Sequence, residues 1–285
     1  MTTLLITGAS GYLAHRLLPI ACRYGDVIGL SRTGHGIGAN VEHIEVDLTD
    51  TAALRAVVES VAPDAIVHAA AANPGSSASS MTAVNHLATA TIAQLAADSG
   101  CRLVSVSTDV VHNGIDAPFA DDAIAQPLAD NVYGQTKWLG EQAVLSSGAN
   151  AIVVRTSLIY GLQQMDRGTE GFVQRLEAGE TLSLFSDVQR QPVWIDSLAE
   201  VLCELAVNLT TETGLINVAG SESMTRAAYG LHLLEHWGVS TDHAVQLISG
   251  AGINGLPLDL RLQLDRARSL GFLLPGVTAV LSGSC

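Results

Sequence analysis

The sequence predicts an α/β protein with a doubly wound parallel sheet and a smaller, interleaved C-terminal lobe. Short apolar runs alternate with helical patterns through residues 1–156, an order typical of βαβ units. A glycine-rich turn separates the first apolar run from the first helical pattern. Of the 285 residues, 48% are hydrophobic and 15% are charged, which allows a sizeable core in one large or two intimate domains.

Strands and helices can be assigned along the chain from these patterns. Strand-like runs occupy residues 3–7, 27–30, 41–46, 65–68, 103–107 and 151–156, and helical patterns occupy 12–23, 51–61, 80–98 and 131–145. After residue 156 we expect a short helix at 172–177, a helix at 195–208, a strand at 215–218 and one amphipathic helix after 224. The first domain therefore covers 1–156 and continues at about 186–218, and the lobe comprises 157–185 and 219–285.

The charge and the cysteines narrow the choice of function. The formal net charge is −14, and no cluster of basic residues reverses it, so binding to nucleic acid or to an anionic membrane is not expected. Cys22, Cys101, Cys203 and Cys285 lack metal-binding or redox spacing, and we interpret them as small buried hydrophobes and a tail thiol. No apolar segment is long enough for a bilayer or a secretory leader, so we expect a cytoplasmic protein.

The glycine-rich turn predicts a dinucleotide site. Residues 7–14 read TGASGYLA, with the spacing GxxGxxA between the first strand and the first helix. Glycines at this point allow a tight turn and close approach of a pyrophosphate to the helix N-terminus. The first domain is then a Rossmann-type, dinucleotide-binding domain, and the lobe binds substrate. The candidate contacts in the turn are Gly8, Ser10, Gly11, Tyr12 and Leu13.

The end of the second strand bears on the choice between NAD and NADP. An acidic residue at this position would bind the ribose hydroxyls and select NAD, but the sequence has Ser31 and Arg32. A cation beside a serine suits a 2′-phosphate, so NADP is preferred and NAD remains possible. The alternative is that Arg32 is a solvated loop residue. Asp47 and Leu48, after the third strand, are expected to reach the adenine.

A helix carries Tyr133 and Lys137 in the sequence YGQTK. Residues four apart share a helix face, so the phenol and the ammonium group should lie side by side. We expect the cation to lower the pKa of the tyrosine toward a useful range. An exposed pair would explain the spacing, but Lys137 is the only lysine in the chain.

A hydroxyl pair precedes this helix at the end of a strand. Ser107 and Thr108 end the strand at 103–107, and strand ends meet in the crevice at the carboxyl edge of the sheet. A hydroxyl there can hydrogen-bond a reacting carbonyl while Tyr133 donates the proton. The alternative is that both residues only terminate the strand.

Taken together, these segments resemble the extended branch of the short-chain dehydrogenase/reductase superfamily, and within it the dTDP-4-dehydrorhamnose reductase-like, sugar-nucleotide-binding group. The segments are TGASGYLA, HAAAANP, VNHLATATIAQLA, VSVSTDVVHNG, NVYGQTKWLGE, VVRTSLIYG and PLDLRLQLDRARSLG. The resemblance implies Thr108, Tyr133 and Lys137 as the catalytic trio, with Lys137 also on the nicotinamide ribose. It further implies that Asn85 lies beside the catalytic helix and that the cofactor contacts Ala69, Ala70 and Ala71. Asn85, Ser107 and Tyr133 are further candidate cofactor contacts.

The sequence also departs from this group in the region expected to face substrate. Val110 stands where related 4,6-dehydratases have a glutamate, so dehydration is not expected. Leu158 replaces a tryptophan, and an Arg190-Gln191-Pro192-Val193 segment replaces Gly-x-Pro-Thr. The candidate substrate contacts are Thr108, Asp109 and Arg190. Arg190 suits an anionic substrate group, and pairing with an aspartate is the alternative.

We therefore expect an NADPH-dependent reductase of a carbonyl substrate, preferably a nucleotide-linked 4-keto-6-deoxy sugar. The alternatives are a reductase of a free small ketone or aldehyde, an NADP-binding regulatory subunit, and a nucleotide-sugar epimerase. No metal is expected, because His35, His43, His68, His86 and His112 have no metal-binding spacing. A homodimer through the helices at 80–98 and 131–145 is possible, since Ala88, Ala90, Ala93 and Ala97 would allow close packing with a second copy or with the chain's own sheet.

Overall fold

A seven-stranded parallel sheet forms the centre of the molecule in the computed structural model, which describes residues 2–34, 38, 41–241 and 245–284. The strands lie in the order β11-β6-β5-β4-β1-β2-β3. Their bounds are β1 Thr3–Thr7, β2 Asp26–Ser31, β3 Glu42–Glu45, β4 Ala65–His68, β5 Arg102–Thr108, β6 Ala151–Thr156 and β11 Gly214–Asn217. The expected doubly wound parallel sheet is confirmed, and the strand order reverses between β1 and β4.

Helices cover both faces of this sheet. One face carries α1 Tyr12–Ala21 and α7 Ile195–Val207, and the other carries α2 Thr51–Val61, α4 Thr89–Ser99 and α5 Val132–Ser146. Successive side chains of β1 enter opposite cores, with Leu4 and Ile6 beside α1 and α7 and Leu5 on the other side. This alternation is why the strands are nearly continuous runs of apolar residues, as parallel strands covered on both faces require.

The helical segment after β4 contains a π-helix. The sequence predicts one helix over 80–98, whereas the structure has α3 Ala78–Met81, a π-helix Thr82–Ala88 and then α4. Within this segment Asn85 and Thr89 are buried, and their side chains bond the backbone of Ala72 and the ring of His68. We attribute the wider turn to these polar contacts, because a π-turn inserts the extra residue that lets both side chains face inward.

The remaining elements form smaller units beside the carboxyl edge of the sheet. Three two-stranded sheets pair β7 with β10, β9 with β12 and β8 with β13. Their strands are β7 Ile159–Tyr160, β8 Leu182–Phe185, β9 Gln189–Arg190, β10 Val193–Trp194, β12 Met224–Thr225 and β13 Val245–Ile248. The helices are α6 Arg167–Glu177, α8 Arg226–His236, α9 Asp265–Ser269 and α10 Val277–Leu281, and a 3₁₀ turn spans Asp109–Val111.

The helix expected at 172–177 begins earlier, at Arg167. Asp166 caps it, because its Oδ1 accepts hydrogen bonds from the backbone N–H groups of Gly168 and Thr169. The cap starts the helix ahead of its apolar residues, which periodicity alone does not reveal. The division of the chain into a dinucleotide-binding domain and a substrate lobe stays a prediction.

One expectation about the cysteines is wrong. Cys22 is exposed because it follows the last turn of α1, whereas Cys101 and Cys203 are buried as expected. Cys285 and His35 lie outside the described residues. None of the described helices combines the length and the hydrophobicity that crossing a bilayer requires.

Candidate active site

The glycine turn between β1 and α1 presses against the segment that follows β4. Gly8 has a φ of +74°, and a Cβ atom there would lie 2.8 Å from Cα of Ala70. The N–H of Gly11 donates to the carbonyl of Gly8 at 2.8 Å and closes the turn. Helix α1 then begins at Tyr12 with no side-chain cap and no acidic residue in its first turn. An uncapped helix N-terminus behind glycines fits the pyrophosphate of a dinucleotide.

The other predicted residues of the turn differ in their exposure and in their hydrogen bonds. Ser10 is exposed, whereas the side chain of Leu13 is buried in the core beside α7, so only its backbone faces the turn. The hydroxyl of Tyr12 donates to the carbonyl of Gln164 at 3.1 Å. Burial raises the pKa of Tyr12 above its usual value, so its hydroxyl stays a donor. This bond joins the turn to the loop after β7.

Asn85 links the segment after β4 to helix α5 through three hydrogen bonds. Its Oδ1 accepts from the N–H of Ala72 at 2.8 Å, and its Nδ2 donates to the carbonyl of the same residue at 2.9 Å. A third bond, 3.2 Å long, joins Nδ2 to Oγ1 of Thr136 on α5. Asn85 is fully buried, so it holds the alanine segment and α5 together. That segment runs from Ala69 through Ala70 and Ala71 to Ala72, the residue that Asn85 binds.

The residues expected at the adenosine end lie together after β2 and β3. The Ser31 hydroxyl donates to the carbonyl of Thr33 at 2.6 Å and lies 2.9 Å from Nε2 of His43. Arg32 is exposed. Hydrogen bonds from the backbone and side chain of Thr49 lower the pKa of Asp47, and the charge of Arg32 adds a smaller effect in the same direction. Among the described residues, the Arg32 guanidinium has no hydrogen-bond partner, and Asp47 is bonded through Oδ1 to Thr49. The Leu48 side chain is buried in the core.

Lys137 stands on α5 at the carboxyl ends of β4 and β5. Its side chain is buried, and Nζ donates to the carbonyl of Val106 at 2.7 Å. Burial lowers the pKa of Lys137 to about 8, and the carboxylate of Glu141 acts in the opposite direction. After burial itself, the charge of Lys137 is the second cause that lowers the pKa of His68, the last residue of β4.

Tyr133 is half-buried at the start of the same helix. Burial raises its pKa to about 12, and the Asp109 carboxylate adds to this effect, while Arg190 and Thr108 oppose it. The expectation that Lys137 lowers this pKa is wrong, because burial outweighs every nearby charge and the ammonium group is bonded to β5 instead. Tyr133 is consequently a protonated acid at neutral pH.

The two hydroxyls at the end of β5 face in different directions. The Thr108 hydroxyl donates to Oδ1 of Asp109 at 3.2 Å and lies close enough to Tyr133 to affect its pKa. The Ser107 hydroxyl instead donates to Oε1 of Glu141 at 2.5 Å, in a buried contact. Alternation along the strand separates them, so only Thr108 offers its hydroxyl to the crevice.

Arg190 and Asp109 form a buried, bidentate ion pair. Nε of Arg190 donates to Oδ2 at 2.9 Å and Nη2 donates to Oδ1 at 2.7 Å. Asp109 is fully buried and also accepts a bond from the Ser157 hydroxyl at 2.6 Å. Of the two alternatives for Arg190, the structure shows pairing with an aspartate. Neither of these candidate substrate contacts carries an unpaired charge.

A second buried ion pair joins α5 to β6, and the sequence did not predict it. Arg155 on β6 binds Glu141 on α5 through Nε and Nη2, the shortest contact being 2.8 Å, and both side chains are 1% exposed. One available signal was that Glu141 follows Lys137 by four residues, on the same helix face. No local pattern indicates Arg155, because the pairing depends on how α5 crosses the sheet.

The interpretation of the described histidines as packing or loop residues is confirmed where contacts are defined. His68 lies 2.7 Å from Oγ1 of Thr7 and 2.9 Å from Oγ1 of Thr89. The ring of His112 stacks on Phe119 at a centroid distance of 4.0 Å. In the described part of the chain, no three His, Cys, Asp or Glu side chains are arranged to hold a metal ion.

An open parallel sheet, a glycine turn where its strand order reverses, and a Tyr-x-x-x-Lys helix beside that crevice define an NAD(P)-dependent oxidoreductase of the short-chain dehydrogenase/reductase type. A family model described as the RmlD substrate binding domain matches residues 1–254. The chain belongs to this family, within the extended branch of that superfamily.

Two relatives of this chain carry names that describe different functions. The chain is 32% identical over 213 residues to a dTDP-4-keto-6-deoxy-D-glucose reductase from Streptomyces niveus, covering 70% of this chain and 67% of the relative. It is 28% identical over 232 residues to the methionine adenosyltransferase 2 subunit beta of Xenopus laevis, covering 77% and 68%. A dTDP-4-dehydrorhamnose reductase from Bacillus anthracis, solved with NADP, superposes with a TM-score of 0.80 at 21% identity, covering 99% and 98% of the two chains.

Proposed function

We propose that this protein is an NADPH-dependent reductase of a carbonyl substrate, and that the substrate is a nucleotide-linked 4-keto-6-deoxy sugar. One observation carries the proposal: Tyr133 and Thr108 act on each other at the end of β5, beside the ammonium group of Lys137. A protonated acid, a hydroxyl and a cation at one strand end are the groups that carbonyl reduction requires.

We assign two parts of the cofactor to groups that line the crevice. The backbone N–H groups around Gly11 and the start of α1 would hold the pyrophosphate. The exposed Arg32 would take the 2′-phosphate of NADP, which favours NADP over NAD. When bound, the nicotinamide supplies a hydride to the carbonyl carbon.

The proton that carbonyl reduction requires would come from the protein itself. Tyr133, with a pKa of about 12, holds its proton at neutral pH and donates it to the carbonyl oxygen as negative charge develops there. Thr108 would hydrogen-bond the same oxygen and orient it. Lys137, bonded to the carbonyl of Val106 at the same strand end, would bind the ribose of the nicotinamide, the role that the resemblance implies.

The preference for a 4-keto-6-deoxy sugar draws on the relatives and on one departure. The Streptomyces niveus relative is named a reductase of such a dTDP-linked sugar. Val110 has no acidic group with which to assist elimination of water. Reduction without dehydration is therefore the chemistry we assign to this site.

A regulatory subunit is the second candidate, because the Xenopus laevis relative is named a methionine adenosyltransferase subunit. The two candidates differ in their dependence on Tyr133. A regulatory subunit needs the fold and the cofactor site but no proton donor, so loss of the phenol hydroxyl would leave its interaction intact.

Tyr133→Phe tests the reductase directly. We expect the variant to bind NADPH as wild type does and to lose about 100-fold or more in the rate of NADPH oxidation with a dTDP-4-keto-6-deoxy sugar, the usual contribution of a general acid. The measurement is the decrease in NADPH absorbance, with NADPH binding followed separately by fluorescence. Wild-type protein that binds NADPH but reduces neither that sugar nor simple ketones and aldehydes would contradict the proposal.

A further inference from the structure

The first turn of α8 carries two polar groups that find no partner among the described residues. The first belongs to Arg226, which is half-buried and whose guanidinium makes no hydrogen bond or ion pair with any residue the structure describes. Its Cζ lies 5.7 Å from the centre of the Phe185 ring. This contact uses the face of the guanidinium and leaves all of its N–H donors unused.

The second is the hydroxyl of Tyr229, three residues further along the same helix face. Tyr229 is 7% exposed, and its hydroxyl has no hydrogen-bond partner in the described structure. Its ring packs edge-on against Tyr160 at a centroid distance of 6.1 Å. Burial raises the pKa of this hydroxyl, nearby Asp166, Tyr12 and Tyr160 raise it further, and Arg190 lowers it. The hydroxyl therefore faces the region between the glycine turn and β9.

These groups adjoin the candidate active site through β9. Strand β12 pairs with β9 so that Met224 lies opposite Arg190, and the N–H of Arg226 donates to the carbonyl of Val188 at 2.8 Å. Arg190 in turn binds Asp109, which neighbours Thr108. The start of α8 is thereby tied to the strand end that holds the proposed catalytic residues.

Of the charged side chains named in this region, Arg226 is the one without a bonded counter-charge among the described residues. Arg190 and Asp109 neutralise each other in a buried pair, and Asp166 keeps its negative charge but is bonded to the N–H groups at the start of α6. The charge of Arg226 remains, and the positive end of the α8 dipole adds to it. A half-buried guanidinium with no anion costs free energy that a ligand's oxyanion would recover.

We propose that Arg226 and Tyr229 form an oxyanion-binding subsite that takes a phosphate group of the substrate. The planar guanidinium donates two parallel N–H bonds to phosphate oxygens, and the phenol O–H donates a further one. The phosphate could be part of a nucleoside diphosphate or of a simple sugar phosphate, which share this chemistry. The inference deepens the proposed function and rests on it for the carbonyl that the substrate carries.

The test compares three probes by isothermal titration of the full chain: dTDP, thymidine and inorganic phosphate. We expect dTDP to bind wild type more tightly than thymidine, and Arg226→Gln to weaken dTDP about tenfold or more, as loss of a charge-assisted hydrogen bond predicts. Tyr229→Phe should weaken dTDP about threefold or more. Thymidine affinity should not change in either variant.

Matched controls remove the same groups elsewhere. Arg55→Gln and Tyr24→Phe alter residues on α2 and after α1, where Arg55 faces Glu59 and Asp98, and Tyr24 bonds Glu200 and Glu204. Both controls should bind dTDP as wild type does. If Arg226→Gln fails to fold, Arg226→Lys keeps the charge and loses the fork, and we expect it to bind dTDP with reduced affinity.

The two sources of phosphate give different results. Phosphate that binds alone, with an affinity lowered by the same variants, supports the subsite and indicates a simple phosphorylated substrate. Phosphate too weak to detect, with dTDP lost in both variants, supports it and indicates a nucleoside diphosphate. Equal affinity of wild type for dTDP and thymidine, or unchanged dTDP affinity in Arg226→Gln, overturns the subsite. Because titration needs no turnover, a failed reductase assay rejects the reductase without affecting this result.

Discussion

Arg32, at the end of β2, projects into solvent with no hydrogen bond or ion pair to any described residue. We expect Arg32→Ala to weaken NADPH binding about tenfold or more and to leave NADH binding nearly unchanged, because only NADPH has the 2′-phosphate. Fluorescence titration of both cofactors measures the difference, with the exposed Arg55→Ala as control. Equal loss for the two cofactors, or no loss, would show that Arg32 is a solvated loop residue.

Single residues also show where sequence-based prediction stops. The spacing of Tyr133 and Lys137 correctly predicts one helix face, but the pKa of the phenol depends on burial that only the packed structure reveals. For Arg190 the sequence left a free anion site and an ion pair open. Its partner, Asp109, lies 81 residues away and comes into contact only through the fold. Spacing along the chain predicts neighbours, whereas desolvation and long-range pairing do not follow from it.

At the scale of the element, α5 joins the candidate site to a buried ion pair. Glu141 lies one turn beyond Lys137 and raises its pKa against the effect of burial, which has brought it to about 8. The protonated lysine has three N–H donors, so it can bind the carbonyl of Val106 and the ribose of a bound cofactor together. We therefore expect kcat/KM for NADPH-dependent reduction to fall as the pH rises through about 8.

Glu141→Gln should move that fall to a lower pH, since it removes a charge that favours protonated Lys137. It should also destabilise the protein by about 3 kcal/mol or more, because Arg155 is left buried without its carboxylate. The pH profile of kcat/KM and urea unfolding measure the two effects. Lys137→Arg is the control, as arginine does not titrate in this range and any residual activity should lose the fall. A wild-type profile that stays flat through pH 8 would refute the role of Lys137.

Prediction of whole elements succeeded where a residue pattern alone determines them. The bounds of β1, α2, β4 and β6 match the expectation from apolar runs and helical periodicity. The two-residue strands β7, β9, β10 and β12 were not predicted, because pairs this short have no periodicity. The π-helix was missed for another reason: Asn85 and Thr89 find their partners on other elements, and those contacts override the local pattern.

For the whole molecule, the sequence predicts the sheet and its glycine turn, but not how the later segments return to it. Strand β11 joins β6 at the edge of the central sheet, and α7 packs against α1 on the face of that sheet. The three small sheets, β7 with β10, β9 with β12 and β8 with β13, lie beside the carboxyl edge of the central sheet. We propose that residues 157–185 and 219–285, which include β7, β8, β12 and β13, form the lobe that binds substrate, and the dTDP titrations of the α8 variants also test this.

The molecule's outer surface bears on self-association. Helix α5 packs beside the π-helix and α4, and three large hydrophobic side chains of this group are exposed: Leu87 by 55%, Val132 by 37% and Leu145 by 39%. Of the small residues considered for a dimer contact, Ala88 and Ala93 are buried in the chain's own core, whereas Ala90 and Ala97 are half-buried. We propose a homodimer through this helix group, because a second copy would cover the same apolar side chains by two-fold symmetry.

Leu87→Arg combined with Leu145→Arg should convert a dimer to a monomer, since facing copies would place like charges together in an apolar contact. Sedimentation equilibrium gives the mass, and NADPH titration verifies that the fold and the cofactor site survive. Leu273→Arg provides the control, because Leu273 is 79% exposed and lies outside this helix group. A wild-type chain that sediments as a monomer, or a double variant that stays dimeric, contradicts this interface. A control that also dissociates would show that added charge alone, and not this helix group, governs association.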